Sequence, residues 1–270
     1  MLLGISSYTY TWSVGVQGFE HRRMLDSIEL IKKASEYRIG LLQICDNIKL
    51  ESYSKEQLVS IKAFADFKNI VLEVGTRGTE INHMLKFLDI CKILGAKTLR
   101  TIIHSPSQPV TIKEAENNFK SVIKRFEEEN IVIVIENHDK HKVDELISII
   151  EGVKSESLKI CLDTVNSFGA LESPDYVIDK LSPYVGNIHL KDFTIERVGH
   201  QMGFSIVGTA AGQGMLDCSK VIELAVEKDV NIVLELWTPY TNSIEETIEK
   251  EENWAHQSIE YIKQAICSYE

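Results

Sequence analysis

The chain has 270 residues, 44% of them hydrophobic, which is enough to bury the core of one large α/β domain without disulfides. Its formal charge of −11, without a dense basic block, argues against a nucleic-acid or anionic-membrane partner. Scattered cysteines, no basic apolar leader and no apolar run near the ~20 residues that span a bilayer predict a cytoplasmic protein with reduced thiols.

Short β-branched apolar runs alternate with amphipathic stretches along the whole chain. In chain order, the predicted strands are 2–8, 41–47, 70–76, 98–104, 131–137, 158–164, 185–191 and 231–237. The predicted helices between and after them are 22–38, 55–68, 79–94, 111–129, 142–151, 174–181, 217–228 and 244–265. Pro174 near one helix start and Gly95 after another support these boundaries.

This strict alternation predicts one domain over residues 1–270, a single (β/α)8 TIM barrel of the α/β class. The alternative is an open doubly wound sheet, which usually carries a glycine-rich dinucleotide loop after the first strand. SSYTYTW at 6–12 is not such a loop. The glycine-rich segment 193–216 is predicted to be a long loop that acts as a lid or faces the substrate.

The last four predicted strands each carry a metal-binding type of side chain near the end: Glu136, Asp163, His189 and Glu235. Each alone is as readily a helix cap or an ion-pair partner, but in this fold the C-terminal strand ends form the active site. Three buried carboxylates cannot neutralise one another, so we predict that the four side chains bind one divalent metal ion. The oxygen-rich donor set favours Mn²⁺, with Mg²⁺, Co²⁺ and Zn²⁺ as alternatives.

Five motifs lie in the order and spacing of one known group of proteins. They are IENH (135–138), CLDTVN (161–166), HLKDF (189–193), GQGMLD (212–217) and LEL (234–236). By these motifs the chain resembles, over essentially its whole length, the xylose isomerase-like TIM-barrel superfamily. That group includes sugar phosphate isomerases and epimerases, hydroxypyruvate isomerases, inosose dehydratases and endonuclease IV.

The resemblance implies specific roles for several side chains. It assigns the same four residues as metal ligands and makes Glu136 and Glu235 the catalytic acid/base pair. His138 matches a position that contacts substrate, and Lys191, followed by Asp192, lies beside the metal and the polar end of the substrate. Asn166 stands where many members have histidine, so it is expected to hydrogen-bond the substrate rather than transfer a proton.

The predicted function is metal-dependent isomerisation or epimerisation of a small sugar or keto-sugar through an enediolate. SSYTYTWSVGV (6–16) and QICDN (43–47) are also similar to the 3-oxo-isoapionate decarboxylase-like branch. The alternative is therefore decarboxylation, in which Lys191 would bind the substrate carboxylate, or an inosose-type dehydration at the same site. Remote alternatives are an endonuclease IV-like nuclease, disfavoured by the acidic charge, and a non-catalytic sugar-binding barrel.

Other residues are weaker candidates for the same pocket. His104, predicted to end the fourth strand, is expected to contact substrate, with Glu73 nearby, although a structural role explains either equally well. Arg100 would meet an anionic group if it points inward. Tyr8, Tyr10 and Trp12 are expected to form an apolar wall. By the resemblance, the protein is expected to form a homo-oligomer and to have a small sugar-like molecule as its partner.

Overall fold

The computed structural model describes residues 1–19, 21–22, 24–105 and 109–269. Eight parallel strands close into a barrel. They are β1 Leu3–Ser6, β2 Leu41–Ile44, β3 Val71–Gly75, β4 Thr98–Thr101, β5 Val132–Glu136, β6 Leu158–Asp163, β7 Val185–Leu190 and β10 Ile232–Leu234, while β8 Asp192–Arg197 and β9 Phe204–Thr209 lie outside the barrel. Around the barrel the order is β1-β10-β7-β6-β5-β4-β3-β2. The closed barrel confirms the predicted (β/α)8 fold and excludes the open sheet.

Helices follow the barrel strands and cover the outside of the barrel. They are α1 Thr11–Val14, α2 Ser27–Glu36, α3 Lys55–Phe67, α4 Ile81–Leu94, α5 Ile112–Glu128, α6 Val143–Val153, α7 Pro174–Leu181, α8 Cys218–Lys228 and α9 Ile244–Cys267. Capping boxes start α2, α3 and α5. As predicted, Pro174 opens α7, and Gly95 ends α4 in the left-handed conformation at φ 67°.

The core lies between these helices and the barrel. On α5, for example, Ala115, Phe119, Val122 and Phe126 are buried at intervals of three and four residues, which is one face of a helix. Ile133 and Ile135 of β5 are also fully buried. Within the described part of the chain, no helix combines the length and the apolarity that crossing a membrane requires.

The structure differs from the predicted elements in two places that matter for the site. The segment predicted as a loop at 193–216 contains a hairpin, in which β8 Asp192–Arg197 pairs antiparallel with β9 Phe204–Thr209. The turn between them includes Gln201 and Gly203 at positive φ. The fourth strand ends at Thr101 rather than at 104, which moves His104 out of the barrel wall and into the following loop.

Candidate active site

A pocket of about 400 Å³ opens at the C-terminal end of the barrel. Aromatic, cationic and carboxylate side chains meet there. The lining residues are Tyr8, Thr11, Trp12, Arg77, Arg100, Glu136, His138, Asn166, Lys191, Glu235, Leu236, Trp237 and Thr238. The pocket therefore lies where this fold places its active sites.

The four residues predicted as metal ligands meet at the base of this pocket. Glu136 ends β5 and Asp163 ends β6, His189 lies on β7 beside Asp163 in register, and Glu235 follows the last residue of β10. All four are buried. Donor atoms of Asp163, His189 and Glu235 lie within 4.8 Å of one another, and His189 Nδ1 lies 3.0 Å from Glu136 Oε2.

A chain of buried polar groups fixes the orientation of His189. Its Nε2 lies 2.8 Å from Gln43 Oε1, and Gln43 Nε2 lies 3.0 Å from Glu73 Oε2. Because the amide nitrogen of Gln43 faces a carboxylate, its oxygen faces His189, and Nε2 of the imidazole must carry the hydrogen. Nδ1 is then the nitrogen directed at Glu136 and Glu235, and among the described residues it has no hydrogen-bond partner.

This arrangement fits a cation at Nδ1. A bare imidazole lone pair facing two carboxylates is unfavourable, so Nδ1 needs a proton or a metal ion. Burial lowers the pKa of His189, but the charges of Glu235 and Glu136 outweigh burial and raise it. Cys161 Sγ also lies within 4.8 Å of Glu136 and His189 donor atoms, but burial raises the pKa of this thiol well above its ordinary value. Cys161 is therefore a poor ligand next to the carboxylates.

Two cations of the chain itself also reach the carboxylates. Lys191 Nζ lies 2.7 Å from Asp163 Oδ2 and 2.8 Å from Glu235 Oε2. Arg100 donates from Nε to Glu136 and lies 3.2 Å from Asp46 through a terminal nitrogen. The prediction of a metal site did not include these two cations, and Arg100 points inward and meets an anionic group, as expected for that strand register. Lys191 is buried and is not a solvated loop lysine.

The three carboxyl groups differ in how strongly they hold a proton. Burial raises the pKa of Glu136, but Arg100, His189 and Lys191 together outweigh burial and hold it well below the ordinary value. Burial also opposes ionisation of Glu235, whose pKa is nevertheless lowered by His189 and Lys191. For Asp163, burial and the neighbouring charges of Glu136 and Glu235 outweigh Lys191, so its pKa is raised. Glu136 and Glu235 are thus the carboxylates that stay ionised most easily.

Each oxygen of these two glutamates already has a partner. Asn166 Nδ2 donates to Glu136 Oε1 at 2.8 Å, while Arg100 occupies Oε2. Ser6 Oγ donates to Glu235 Oε1 at 2.8 Å, while Lys191 occupies Oε2. Both carboxylates are therefore hydrogen-bonded and ion-paired, which weakens them as proton acceptors.

The remaining predicted substrate contacts divide into two groups. His138 is half-buried and lines the pocket beside Asp139, and Asn166 is buried and lines it as well. His104 is not among the described residues that line the pocket, because the loop after the shortened β4 carries it away. The prediction that it ends a barrel strand was wrong.

Of the three aromatic residues, Tyr8 and Trp12 line the pocket, whereas Tyr10 is fully buried under Lys33. Asp192 is turned away from the cluster and accepts hydrogen bonds from the backbone of the GQGMLD loop at Gly212, Gly214 and Leu216. Its role there is to hold that loop.

Sequence reasoning missed several groups that complete the pocket: Ser6, Gln43, Asp46, Arg77, Trp237 and Thr238. Asp46 could have been identified as a site residue, because it is an acidic residue near the end of the second predicted strand, in the segment CDN at 45–47. Ser6 and Gln43 could not have been identified, because a serine or glutamine within a strand points to a site only when its partner on another strand is known.

The sequence profile described as Xylose isomerase-like TIM barrel matches residues 13–265, and the chain belongs to that family. The resemblance predicted from the motifs is thereby confirmed. More particularly, the chain is 30% identical over 264 residues to 3-oxo-isoapionate decarboxylase from Pectobacterium atrosepticum, which covers 97% of this chain and 95% of that protein.

Solved structures share the fold at much lower identity. D-psicose 3-epimerase with D-tagatose from Clostridium cellulolyticum H10 has a TM-score of 0.74 at 14% identity, covering 98% of this chain and 99% of the other. A xylose isomerase-like TIM barrel protein from Mycobacterium smegmatis in complex with magnesium has a TM-score of 0.67 at 12% identity, covering 98% and 97%. At these identities the matches show a common fold alone.

Proposed function

We propose that the chain is a sugar-modifying enzyme that decarboxylates a 3-oxo sugar acid in this pocket. The observation that carries the proposal is the state of the two glutamates. Both oxygens of Glu136 and both of Glu235 have polar partners, two of them cations. Abstraction of a proton from carbon needs a free base, whereas breaking the bond to a departing carboxylate does not.

Similarity to a relative supports the same choice. The protein from Pectobacterium atrosepticum that is 30% identical over 97% of this chain is named 3-oxo-isoapionate decarboxylase. The pocket walls suit a polyhydroxylated carbon chain, since Tyr8, Trp12 and Trp237 offer aromatic faces and Asn166 and Thr238 offer polar groups.

We infer that Glu136, Asp163, His189 and Glu235 would hold a divalent metal, with Mn²⁺ preferred over Mg²⁺, Co²⁺ and Zn²⁺ for their oxygen-rich donor set. The unpartnered Nδ1 of His189, directed at the carboxylates, supports the fit. When bound, such an ion supplies Lewis-acid stabilisation of negative charge on a substrate oxygen.

The residues of the chain would contribute as follows. The bond between the substrate carboxylate and the neighbouring carbon breaks, its electron pair moves toward the 3-oxo oxygen, carbon dioxide leaves and the carbon takes up one proton from water. Lys191, a buried ammonium on the pocket wall, would stabilise the negative charge that develops on the oxygen. Asn166 would orient Glu136 through its 2.8 Å hydrogen bond.

Isomerisation or epimerisation of a keto-sugar is the second candidate. Glu136 and Glu235 both line the same pocket and could reach a substrate from two sides once their partners are displaced. In that case Glu136 would accept a proton from carbon and Glu235 would return one.

A panel of 3-oxo sugar acids, ketoses and inososes, assayed with Mn²⁺, separates the two reactions. Decarboxylation is expected to release carbon dioxide from a 3-oxo acid. An isomerase or epimerase would instead incorporate deuterium from D₂O into recovered ketose without releasing carbon dioxide, and that result would reject the proposal.

Two further measurements test the named groups. Lys191→Met is expected to lower kcat by about 100-fold or more, the scale of losing a charge-stabilising donor; unchanged kinetics would remove Lys191 from the reaction. Chelator treatment is expected to abolish activity and added Mn²⁺ to restore it. Full activity in chelator, with no metal found by elemental analysis, would reject the metal. Arg100 and Lys191 would then be the cations that balance the charges of the carboxylates.

A further inference from the structure

Among the residues that the structure describes, three strongly basic side chains line the pocket, and they differ in how many protein carboxylates they face. Arg100 donates from Nε to Glu136 and from a terminal nitrogen to Asp46 and to the carbonyl of Thr76. Lys191 faces Asp163 and Glu235, with Asn166 at 3.4 Å. Each of these two cations is therefore ion-paired with two carboxylates of the protein itself.

Arg77 is in a different state. Its Nε lies 3.1 Å from Asp46 Oδ2, and within the described part of the chain its terminal nitrogens have no hydrogen-bond partner. About a third of the side chain is exposed, 35%, so the free end of the guanidinium is open to the pocket. A guanidinium held at Nε keeps its terminal N–H groups available for a carboxylate.

Asp46, which holds Arg77, is itself fixed by the buried Arg100 and the half-buried Tyr8. Asp46 receives Arg100 at 3.2 Å on Oδ1 and the hydroxyl of Tyr8 at 3.2 Å on Oδ2. The carboxylate thus has a fixed position between two guanidiniums, and its charge is shared by both. Because Asp46 holds Arg77 through Nε, the terminal N–H groups of Arg77 can still donate to an added anion.

We propose that Arg77, held by Asp46, is the anion-binding residue of the pocket and takes the carboxylate of the substrate. This places the carboxylate at the rim beside Arg77, away from Lys191, and the reacting carbonyl deeper in the barrel. The proposal rests on the proposed function for the identity of the anion, while anion binding by Arg77 does not require turnover.

Binding of non-reacting ligands tests the assignment. Calorimetry compares a four-carbon aldonate with the uncharged alditol of the same length for the wild type, Arg77→Met, Arg77→Lys and the control Arg125→Met, an exposed arginine on α5. The wild type and the control are expected to bind the aldonate about 10-fold or more tightly than the alditol, the scale of a charge-assisted hydrogen bond. Arg77→Met is expected to lose this preference and Arg77→Lys to keep part of it.

Three results would overturn the assignment. They are a wild type without aldonate preference, an Arg77→Met variant that keeps the wild-type preference, and loss of preference in the control. A ketose phosphate is the comparison ligand: Arg77-dependent preference for the phosphate but not for the aldonate would overturn the carboxylate assignment. Circular dichroism and thermal unfolding confirm that each variant is folded before its binding is compared.

The kinetic readout separates this proposal from the proposed function. If decarboxylation is found, Arg77→Met is expected to raise KM by about 10-fold or more with a smaller change in kcat. Unchanged KM would reject the Arg77 assignment and leave decarboxylation standing. If no decarboxylation is found but the aldonate preference depends on Arg77, the assignment survives and the proposed reaction fails.

Discussion

The two halves of the barrel contribute different chemistry to the pocket. Strands β5, β6 and β7 and the residue after β10 supply the acidic and imidazole groups: Glu136, Asp163, His189 and Glu235. Strands β1 to β4 and the loops after them carry the groups that contact those residues or extend the pocket: Ser6, Gln43, Asp46, Arg77 and Arg100. Three contacts join the two halves: Gln43 to His189 crosses the barrel, whereas Arg100 to Glu136 and Ser6 to Glu235 join neighbouring strands. Through these contacts the first half orients the second.

Breaking the contact between Arg100 and Glu136 is expected to have the largest effect. Arg100→Met leaves Glu136 as a buried charge that has lost its cation, so the free energy of unfolding should fall by about 3–5 kcal/mol in urea titrations. Adding Glu136→Gln should recover part of this loss, because it removes the unpaired charge. A matched control is Lys120→Met in the exposed pair with Glu116, where the loss should stay below about 1 kcal/mol. Equal losses in the buried and exposed pairs would contradict this prediction.

The second prediction concerns the junction between the halves, where β1 pairs with β10. Glu251 of α9 accepts hydrogen bonds from the backbone amides of Trp12 and Ser13 at 2.8 and 3.0 Å and from the hydroxyl of Ser13. It thereby fixes the short helix α1 that carries Trp12 to the pocket. Burial raises the pKa of Glu251 from 4.5 to about 7.

A raised carboxyl pKa means that the folded state binds the proton more tightly than the unfolded state. The resulting stabilisation is fully present below pH 4.5 and is lost as the pH rises through about 7. The shift corresponds to about 3 kcal/mol. Glutamine does not titrate, so Glu251→Gln should remove this pH-dependent contribution to the free energy of unfolding. The difference in unfolding free energy between the variant and the wild type should therefore change by up to about 3 kcal/mol between pH 4 and pH 8. Exposed Glu249→Gln is the control, and a pH-independent difference for Glu251→Gln would refute the prediction.

The sequence predicted the site residues of the second half of the barrel better than those of the first half. In the second half, Glu136 and Asp163 each follow an apolar run. A carboxylate at such a position indicates a functional site even when its partners are unknown. Gln43 and Arg100 lie inside strands, so their roles depend on strand register and on partners distant in sequence. His104 was misplaced for a related reason, since its apolar run TLRTIIH continues beyond the point where strand pairing stops at Thr101.

The fold was more predictable than the segments added to it. Eight strand-helix alternations specify a barrel even when each boundary is uncertain by a few residues. The hairpin β8–β9 was missed because its glycines suggested a loop, while the alternation of DFTIER and FSIVGT is short and its hydrophobic side chains Ile195, Phe204 and Ile206 are exposed. Alternation predicts strands best when one face is buried.

The third prediction breaks the contact between Gln43 and His189. Gln43→Met leaves Nε2–H of His189 and the carboxylate of Glu73 without their shared amide. A loss of about 1–3 kcal/mol in unfolding free energy is expected because Nε2–H of His189 is left unsatisfied, whereas Glu73 keeps its hydrogen bonds from Asn187 and Asn231. If His189 binds the proposed metal, Mn²⁺ affinity should also fall by about 10–100-fold, the usual scale for removing a partner of a ligand histidine. Exposed Gln213→Met is the control, and unchanged stability together with unchanged Mn²⁺ affinity would show that Gln43 does not orient the imidazole.

The smallest expected effect comes from Ser6, whose hydroxyl donates to Glu235 and accepts from the backbone amide of Tyr8, both at 2.8 Å. Ser6→Ala removes both bonds but no charge, so unfolding free energy should fall by only about 1–2 kcal/mol. The exposed control Ser148→Ala should lose less than about 0.5 kcal/mol. Ser6→Ala leaves the ion pair between Lys191 and Glu235 in place but removes the hydrogen bond to Oε1 of Glu235. The variant therefore also helps to distinguish the two candidate reactions. If the enzyme is a decarboxylase, the rate of carbon dioxide release by Ser6→Ala should fall or stay unchanged. If the variant instead incorporates deuterium from D₂O into a ketose faster than the wild type, Glu235 acts as a base whose basicity is lowered by the hydrogen bond from Ser6.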